Sequence, residues 1–404
     1  MKSVVFFVST KTGEGLDSQA QKTRRLLESL SGSCGPGLIR KGDLIGVKTS
    51  FGEKHNIGHL KPPIVRAAVE FVRDAGGRPF VVETNTLYVG QRSNAIDHIQ
   101  HAYIHGFTPE AIGAPIIIAD GLRGENDYTM PMPQEVQGLK GSRVQSATGG
   151  KGSRVQRLTK MAFIAGAAKA ASGLVFLSHV TGHMLTGLGA TLKNIGMGLA
   201  SRGGKLAMHS GVVPKILTDK CKACGLCAEF CPVGAITIKD YSIIDAGRCI
   251  GCGECLAVCP HGAVKISWDE NTENLQKKVA EYCQAILKGK EKKSVFLNFL
   301  IHVTEQCDCM DRAYPPAFED IGILASCDPV AVEQATVDLV REHQGEDFFQ
   351  RAWPNIDYTT QIDYAEKIGL GSKDYELIEI SRGKGGRATP AGGKATPDRR
   401  ATTA

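Results

Sequence analysis

Eight of the 13 cysteines fall between Cys221 and Cys259, in two runs of one pattern. The first is Cys221-Lys-Ala-Cys224-Gly-Leu-Cys227-Ala-Glu-Phe-Cys231-Pro232; the second is Cys249-Ile-Gly-Cys252-Gly-Glu-Cys255-Leu-Ala-Val-Cys259-Pro260. Both read C-x2-C-x2-C-x3-C-P, the bacterial ferredoxin spacing. Each cysteine recurs 28 residues later, and the match continues past the prolines, where Val233-Gly-Ala-Ile-Thr-Ile238 answers His261-Gly-Ala-Val-Lys-Ile266. An internal duplication about a pseudo-twofold axis accounts for this.

A cubane offers four iron corners, and each needs a thiolate from its own direction. Three cysteines at x2 spacing wrap one face of a cluster within a tight loop. The fourth, before proline, reaches the other cluster. The expected ligand sets are therefore crossed: Cys221, Cys224, Cys227 and Cys259 for one [4Fe–4S] cluster, and Cys249, Cys252, Cys255 and Cys231 for the other. Small residues between ligands (Ala223, Gly225, Gly251, Gly253) let backbone N–H groups approach the sulfurs. Zinc knuckles are the alternative, but they space two C-x2-C pairs widely apart. The ferredoxin-like module spans residues 214–268.

The elements around this module alternate. Strands are expected at 4–8, 44–48, 80–83, 116–120, 173–178, 295–301 and 322–325. Helices are expected at 19–30, 63–75, 95–105, 162–171 and 272–287, with a last one opening at Asp328-Pro329, Asp328 as its N-cap, and running to about 343. This predicts an α/β fold, a largely parallel sheet with helices on both faces, interrupted by a dicluster ferredoxin-like α+β module. The division is 1–213 and 269–381 for the two parts of the α/β domain, 214–268 for the insert and 382–404 for a disordered basic tail.

Polar residues crowd the ends of those strands: Lys48 and Glu53 after the second, Asn85 with Tyr88 and Arg92 after the third, and His179 and His183 leading to Lys193 and Asn194 after another. His302, Glu305, Cys307, Asp308 and Cys309 follow the strand at 295–301. Ligands of open parallel sheets bind at the carboxyl ends of strands. Lys48, Asn85, His179, Asn194, Arg202 and His209 are thus candidates for binding a substrate or cofactor, and His183, Glu53 and Lys193 for chemistry. Gly182 argues for a loop rather than a helix at His179 and His183. The glycines here match neither nucleotide-binding spacing. Cys307-Asp-Cys309 offers a C-x-C pair that could hold a metal with His302 or remain as ordinary thiols. Cys34, Cys283 and Cys327 are assigned no metal role. The repeat Lys140-Gly-Ser-Arg-Val-Gln145 and Lys151-Gly-Ser-Arg-Val-Gln156 is a tandem duplication in a Gly/Ser-rich loop without assigned function.

Position also decides how the charge is read. The 404 residues carry a formal +6, but residues 382–404 hold six basic residues and one acid. That leaves about +1 on the body, which does not indicate a nucleic-acid face. No apolar run is long enough to span a membrane. The first residues read as a strand and not a signal peptide, so a cytoplasmic protein is expected, in which cysteines serve metals rather than disulfides.

The string Gly182-His183-Met-Leu-Thr-Gly-Leu-Gly-Ala-Thr-Leu-Lys193-Asn194-Ile-Gly-Met-Gly198 is long and specific, as are Gly204-Lys205-Leu-Ala-Met-His209-Ser210, Cys307-Asp-Cys309 and Asp320-Ile-Gly-Ile-Leu-Ala-Ser-Cys-Asp328-Pro-Val-Ala331. Together with the dicluster insert they resemble the bacterial and archaeal uncharacterised Fe–S centre protein family, a domain of unknown function (number 362) interrupted by a ferredoxin module. The resemblance covers about residues 2–380, excluding the 143–157 loop and the tail, and implies two [4Fe–4S] clusters and no established substrate. The leading expectation is an electron-transfer protein serving a substrate or a redox partner. Two alternatives stand beside it: a non-redox metalloenzyme of racemase or lyase type, with His179, His183 and His209 around a separate metal, and a scaffold delivering electrons or clusters through its tail.

Overall fold

The computed structural model describes residues 2–35, 37–88, 90–137, 154–209, 213–231, 233–249, 253–265, 271–380 and 389–390. Cys252, Gly251, the end of the insert, most of the tandem repeat and nearly all of the tail lie outside the described residues.

Apolar runs bounded by turn residues form the strands β1 (Ser3–Ser9), β2 (Leu44–Lys48), β3 (Arg78–Glu83), β4 (Ile116–Ile118), β5 (Gly173–His183), β6 (Gly187–Gly189), β7 (Ser294–Thr304), β8 (Gly322–Ser326), β9 (Tyr375–Glu379) and β10 (Thr389–Pro390). They make one sheet in the order β10-β9-β1-β8-β7-β5-β2-β3-β4, with β6 folded back on β5. The pairs β5·β7, β2·β5, β2·β3, β3·β4 and β1·β9 are parallel. Strand β8 runs antiparallel to both of its neighbours.

Six helices matter to the site: α1 (Leu16–Ser33), α2 (Pro62–Asp74), α3 (Thr191–Gly196), α4 (Arg202–His209), α5 (Thr272–Leu287) and α6 (Pro329–Gln344). Side chains alternate across a strand, so each strand feeds two cores. Val175 and Leu177 of β5 face Leu26, Leu30, Val65 and Val72 of α1 and α2. Leu174 and Phe176 face Leu192, Val279 and Val332 of α3, α5 and α6. Helices therefore cover both faces, and the mixed α/β architecture with a mostly parallel central sheet is as expected.

Two local expectations fail. Residues 162–171 were expected to be one helix, but Met161–Ala165 is a strand paired antiparallel with Asp127–Pro131, and only Gly166–Ala170 is helical. Ala162 and Ile164 alternate inward with a period of two, which the alanine-rich composition disguises. His179 and His183 sit in β5 and not in a loop, because β5 runs on to pair with β6 and with Thr304. Gly182 is needed there: a Cβ would strike the Glu305 carbonyl oxygen.

Between α4 and α5 lies a small assembly. Lys215–Ile216 pairs with Val264–Lys265, and Ile236–Ile238 with Ser242–Ile244. Two short helices, Leu226–Glu229 and Glu254–Val258, each follow a left-handed glycine, Gly225 at φ 82° and Gly253 at φ 77°. The sequence repeat is thus repeated in backbone shape. It recurs in hydrogen bonding too: Ala235 N–H donates to Cys231 Sγ at 3.2 Å and Ala263 N–H to Cys259 Sγ at 3.3 Å.

Candidate functional site

A cavity of about 380 Å³ opens at the carboxyl ends of β2, β3, β5 and β7. Lys48, His179, His183, Lys193, Asn194 and His209 line it, so six of the nine candidates outside the cysteine quartets are brought together. Glu83, Tyr88, Arg92, Lys205 and Asp308 join them, as do Cys307 and Cys309.

A buried ion-pair chain forms one wall. Lys48 Nζ meets Glu83 Oε1 at 2.6 Å and donates to Asn194 Oδ1 at 3.0 Å. Arg92 joins Glu83 Oε2 at 3.3 Å to Glu53 Oε1 at 2.7 Å, and Tyr88 OH donates to the same Glu53 oxygen at 2.8 Å. Buried charges persist only when paired and hydrogen-bonded, and this chain is neutral as a unit. Burial lowers the Lys48 pKa, with the Glu83 charge opposing it. Register made the first contact accessible: β2 and β3 are parallel with Lys48 opposite Val82, so a terminal acid on one strand falls beside a terminal lysine on the next.

Three candidates stand off the cavity wall. Glu53 is held behind Tyr88 and Arg92. Asn85 clips two loops together: its backbone N–H and Nδ2 donate to Asp120 Oδ1 at 2.9 and 3.0 Å, and Nδ2 also reaches Gly121 O. Arg202 is buried, and its guanidinium donates to the carbonyls of Thr86, Ser93 and Arg123.

The remaining cavity groups leave a cationic excess. His179 and Asp308 form a pair, with Nδ1 3.0 Å from the carboxylate and Nε2 3.0 Å from the carbonyls of Ile301 and His302. Burial works against a charged His179, but the Asp308 carboxylate and these acceptors prevail and raise its pKa. Lys193 has no hydrogen-bond or ion-pair partner among the described residues. Its burial brings its pKa down to about 8. Lys205 donates to Asn85 O at 2.6 Å and to Thr84 Oγ1, and burial takes it to about 8 as well. His209 falls to about 3 through burial and the charges of Lys193 and Lys205, so it is neutral.

His302 does not join the C-x-C pair; its ring lies 3.0 Å from the Tyr314 carbonyl. His183 takes that place: one of its ring nitrogens and the sulfurs of Cys307 and Cys309 lie within 4.8 Å of one another, close enough for one metal ion. The expectation that the cysteines form no disulfides is overturned for four of them. Cys307 is joined to Cys309, and Cys34 to Cys327, with Cα atoms 5.3 and 5.8 Å apart. The folded chain brings α1 against the end of β8, which no local spacing shows. Cys283 is a buried thiol.

The quartets form the second candidate centre. Cys221, Cys224 and Cys227 of the first run and Cys259 of the second line one small cavity, with Ile216, Leu226, Ser242 and Val264. Ser242 N–H donates to Cys221 Sγ at 3.4 Å, and with the Ala223 N–H it lowers that thiol's pKa. The Ser242 hydroxyl lies 3.1 Å from Cys227 Sγ. Four sulfurs with backbone donors around one apolar hollow are the donor set a [4Fe–4S] cluster takes. Of the other set, Cys231, Cys249 and Cys255 are described, and none of the three is in a disulfide. The insert touches the cavity wall directly: Leu256, one residue after Cys255, packs on Leu206 of α4 and on Leu87, and Leu87 lines the strand-end cavity.

Among curated proteins the sequence finds no match. Distantly similar solved structures include the following two. A protein from Thermotoga maritima is 11% identical, with a TM-score of 0.37 over 89% of this chain and 61% of its own. The lactate racemase apoprotein from Thermoanaerobacterium thermosaccharolyticum is 12% identical, with a TM-score of 0.32 over 74% of this chain and 50% of its own. The chain spans between half and two thirds of these neighbours' length, and likeness at this level says nothing of activity. The family model described as a domain of unknown function, DUF362, matches residues 45–338, from β2 through the cavity and the insert into α6. The chain belongs to this family.

Proposed function

We propose that the protein is an iron–sulfur redox protein, in which residues 214–268 carry two [4Fe–4S] clusters and the strand-end cavity holds the acceptor or donor they serve. The single observation in support is the hollow lined by three cysteines of one run and the fourth of the other, the crossed set that two-cluster ferredoxins use. Bound clusters supply one-electron transfer. The chain's own residues do the rest. Lys193 attracts an anionic group, because no described side chain pairs directly with its ammonium in a low-dielectric pocket. The Lys48–Glu83–Arg92–Glu53 chain fixes the floor. His183 and His209 are neutral and can hydrogen-bond a bound group, while Lys193, brought to about 8, is the cavity group tuned to pass a proton. Leu87, Leu206 and Leu256 keep water from the contact between insert and cavity. A cytoplasmic setting and an unidentified redox partner complete the reading.

The test is anaerobic purification, stepwise reduction and electron paramagnetic resonance in the presence of small anions such as sulfate and oxalate. The expected result is a reducible cubane signal that an anion perturbs in the wild type and not in Lys193→Met. A spectrum that no reductant changes would remove the proposal.

A further inference from the structure

The turn bearing Cys307-Asp308-Cys309 leaves the end of β7 and is fastened at three points. Glu53 N–H donates to the Asp308 carbonyl at 3.1 Å, His179 Nδ1 donates to the Asp308 carboxylate at 3.0 Å, and Tyr88 OH, already donating to Glu53, lies 3.3 Å from the Cys309 carbonyl. These bonds aim Cys307 and Cys309 into the cavity, where Cys307 is buried and Cys309 half-buried. Their link closes a sequence separation of 2, whereas Cys34–Cys327 spans 293. Cross-linking constrains the unfolded chain more as the loop lengthens, so the short link does little for the fold. A link of little structural use that faces a cavity is placed for chemistry.

The third group is His183. Its Nδ1 accepts the backbone N–H groups of Leu185 and Thr186, both at 3.2 Å. A ring nitrogen that accepts carries no proton, so the neutral ring keeps its proton on Nε2. The nitrogen left to serve the sulfurs is thus an N–H donor, which suits holding a leaving thiolate by a hydrogen bond better than ligating a metal. Lys193 on the same wall favours the thiolate form of a nearby cysteine and attracts anions.

From this juxtaposition we infer that Cys307 and Cys309 are a redox-active disulfide that takes electrons from the iron–sulfur insert and delivers them to a small anionic disulfide bound in the cavity. The inference rests on the two-cluster reading for its electron source. In the first half, the Sγ–Sγ bond breaks, two one-electron donors are each oxidised once, and two protons enter, leaving two thiols. In the second half, the Cys309 thiolate attacks the substrate disulfide and expels one substrate thiol. Cys307 then attacks the mixed disulfide and expels the other, restoring the Cys307–Cys309 bond. Electrons balance because two single-electron centres match one two-electron bond.

The experiment uses the full chain under nitrogen, with N-ethylmaleimide trapping and peptide mass spectrometry of Cys307 and Cys309. Reduced methyl viologen, a one-electron donor, is expected to open the link so that both sulfurs take maleimide, and 5,5′-dithiobis(2-nitrobenzoate), an anionic disulfide, to close it again. In the cluster-deficient Cys224→Ser/Cys255→Ser variant, dithiothreitol still opens the link, but the viologen response is lost. A link that neither viologen nor dithiothreitol opens in folded protein overturns the inference, as does a zinc or iron ion that blocks both sulfurs from maleimide. A pair that dithiothreitol and the nitrobenzoate cycle in iron-free wild-type protein would instead overturn the two-cluster reading while upholding the pair.

Discussion

Lys193 owes its position to α3, a short helix whose first turn packs its apolar side on α5 and leaves the ammonium over the cavity. Burial, together with the like charges of Arg92 and Lys48, outweighs the pull of Asp308 and Glu83. The group is therefore charged below about pH 8 and neutral above it, where an ordinary lysine holds its proton to 10.5. Peptide-resolved trace labelling with acetic anhydride is expected to give Lys193 a midpoint near 8, and anion binding to the cavity is expected to weaken as pH rises through it. A midpoint at the ordinary value would show that the ammonium is solvated. The His179–Asp308 pair behaves differently. Its histidine pKa is raised, so that contribution is whole below 6.5 and fades as pH climbs through the folded value. Its carboxylate pKa is lowered, so that contribution is whole above 3.8 and fades as pH drops through the folded value. Asp308→Asn is expected to cost about 3 kcal/mol between these limits, the scale for breaking a buried pair, and less on either side. Denaturant unfolding across pH measures it; a pH-independent difference would contradict the assignment.

At the scale of elements, the helices do more than cover the sheet. Asp328 caps α6, accepting from Val330 and Ala331 N–H at 2.8 and 3.0 Å, and its second oxygen takes Ser3 Oγ and Ser372 N–H at 2.7 and 2.9 Å. One carboxylate thus ties a helix start to the first strand and to the segment leading into β9. Asp328→Ala is expected to cost about 2 kcal/mol, the upper end for a lost cap, since further donors are orphaned. A loss within about 0.5 kcal/mol, the scale of a neutral surface change, would show those bonds to be ornamental. This cap was legible because Asp-Pro before an apolar run is a local signal. The strand at Met161–Ala165 was not, because its partner lies some thirty residues upstream across a loop and its own composition favours helix. The same holds at His179 and His183, whose strand is completed by pairing with β6 and β7.

Across the whole molecule, local spacing and the fold bring the same residues together in two places. The quartet spacing placed four sulfurs around one hollow, and the strand-end rule placed Lys48, His179, His183, Lys193, Asn194 and His209 on one cavity. What escaped were contacts between remote segments: the Lys48–Glu83–Arg92–Glu53 chain, the Cys34–Cys327 link, and His183 rather than His302 beside Cys307 and Cys309. Each depends on strand order and register, which local spacing does not encode. The contact of Leu256 with Leu206 and Leu87 is of the same kind, and it seats the insert against the strand-end cavity. The direct measurement is iron and acid-labile sulfide per chain in protein purified without oxygen, read beside its reduced-state resonance spectrum. The account predicts about eight of each, four per cubane, falling by about half in Cys259→Ser with the loss of one signal. Colourless protein, or a serine variant with undiminished iron, would contradict it.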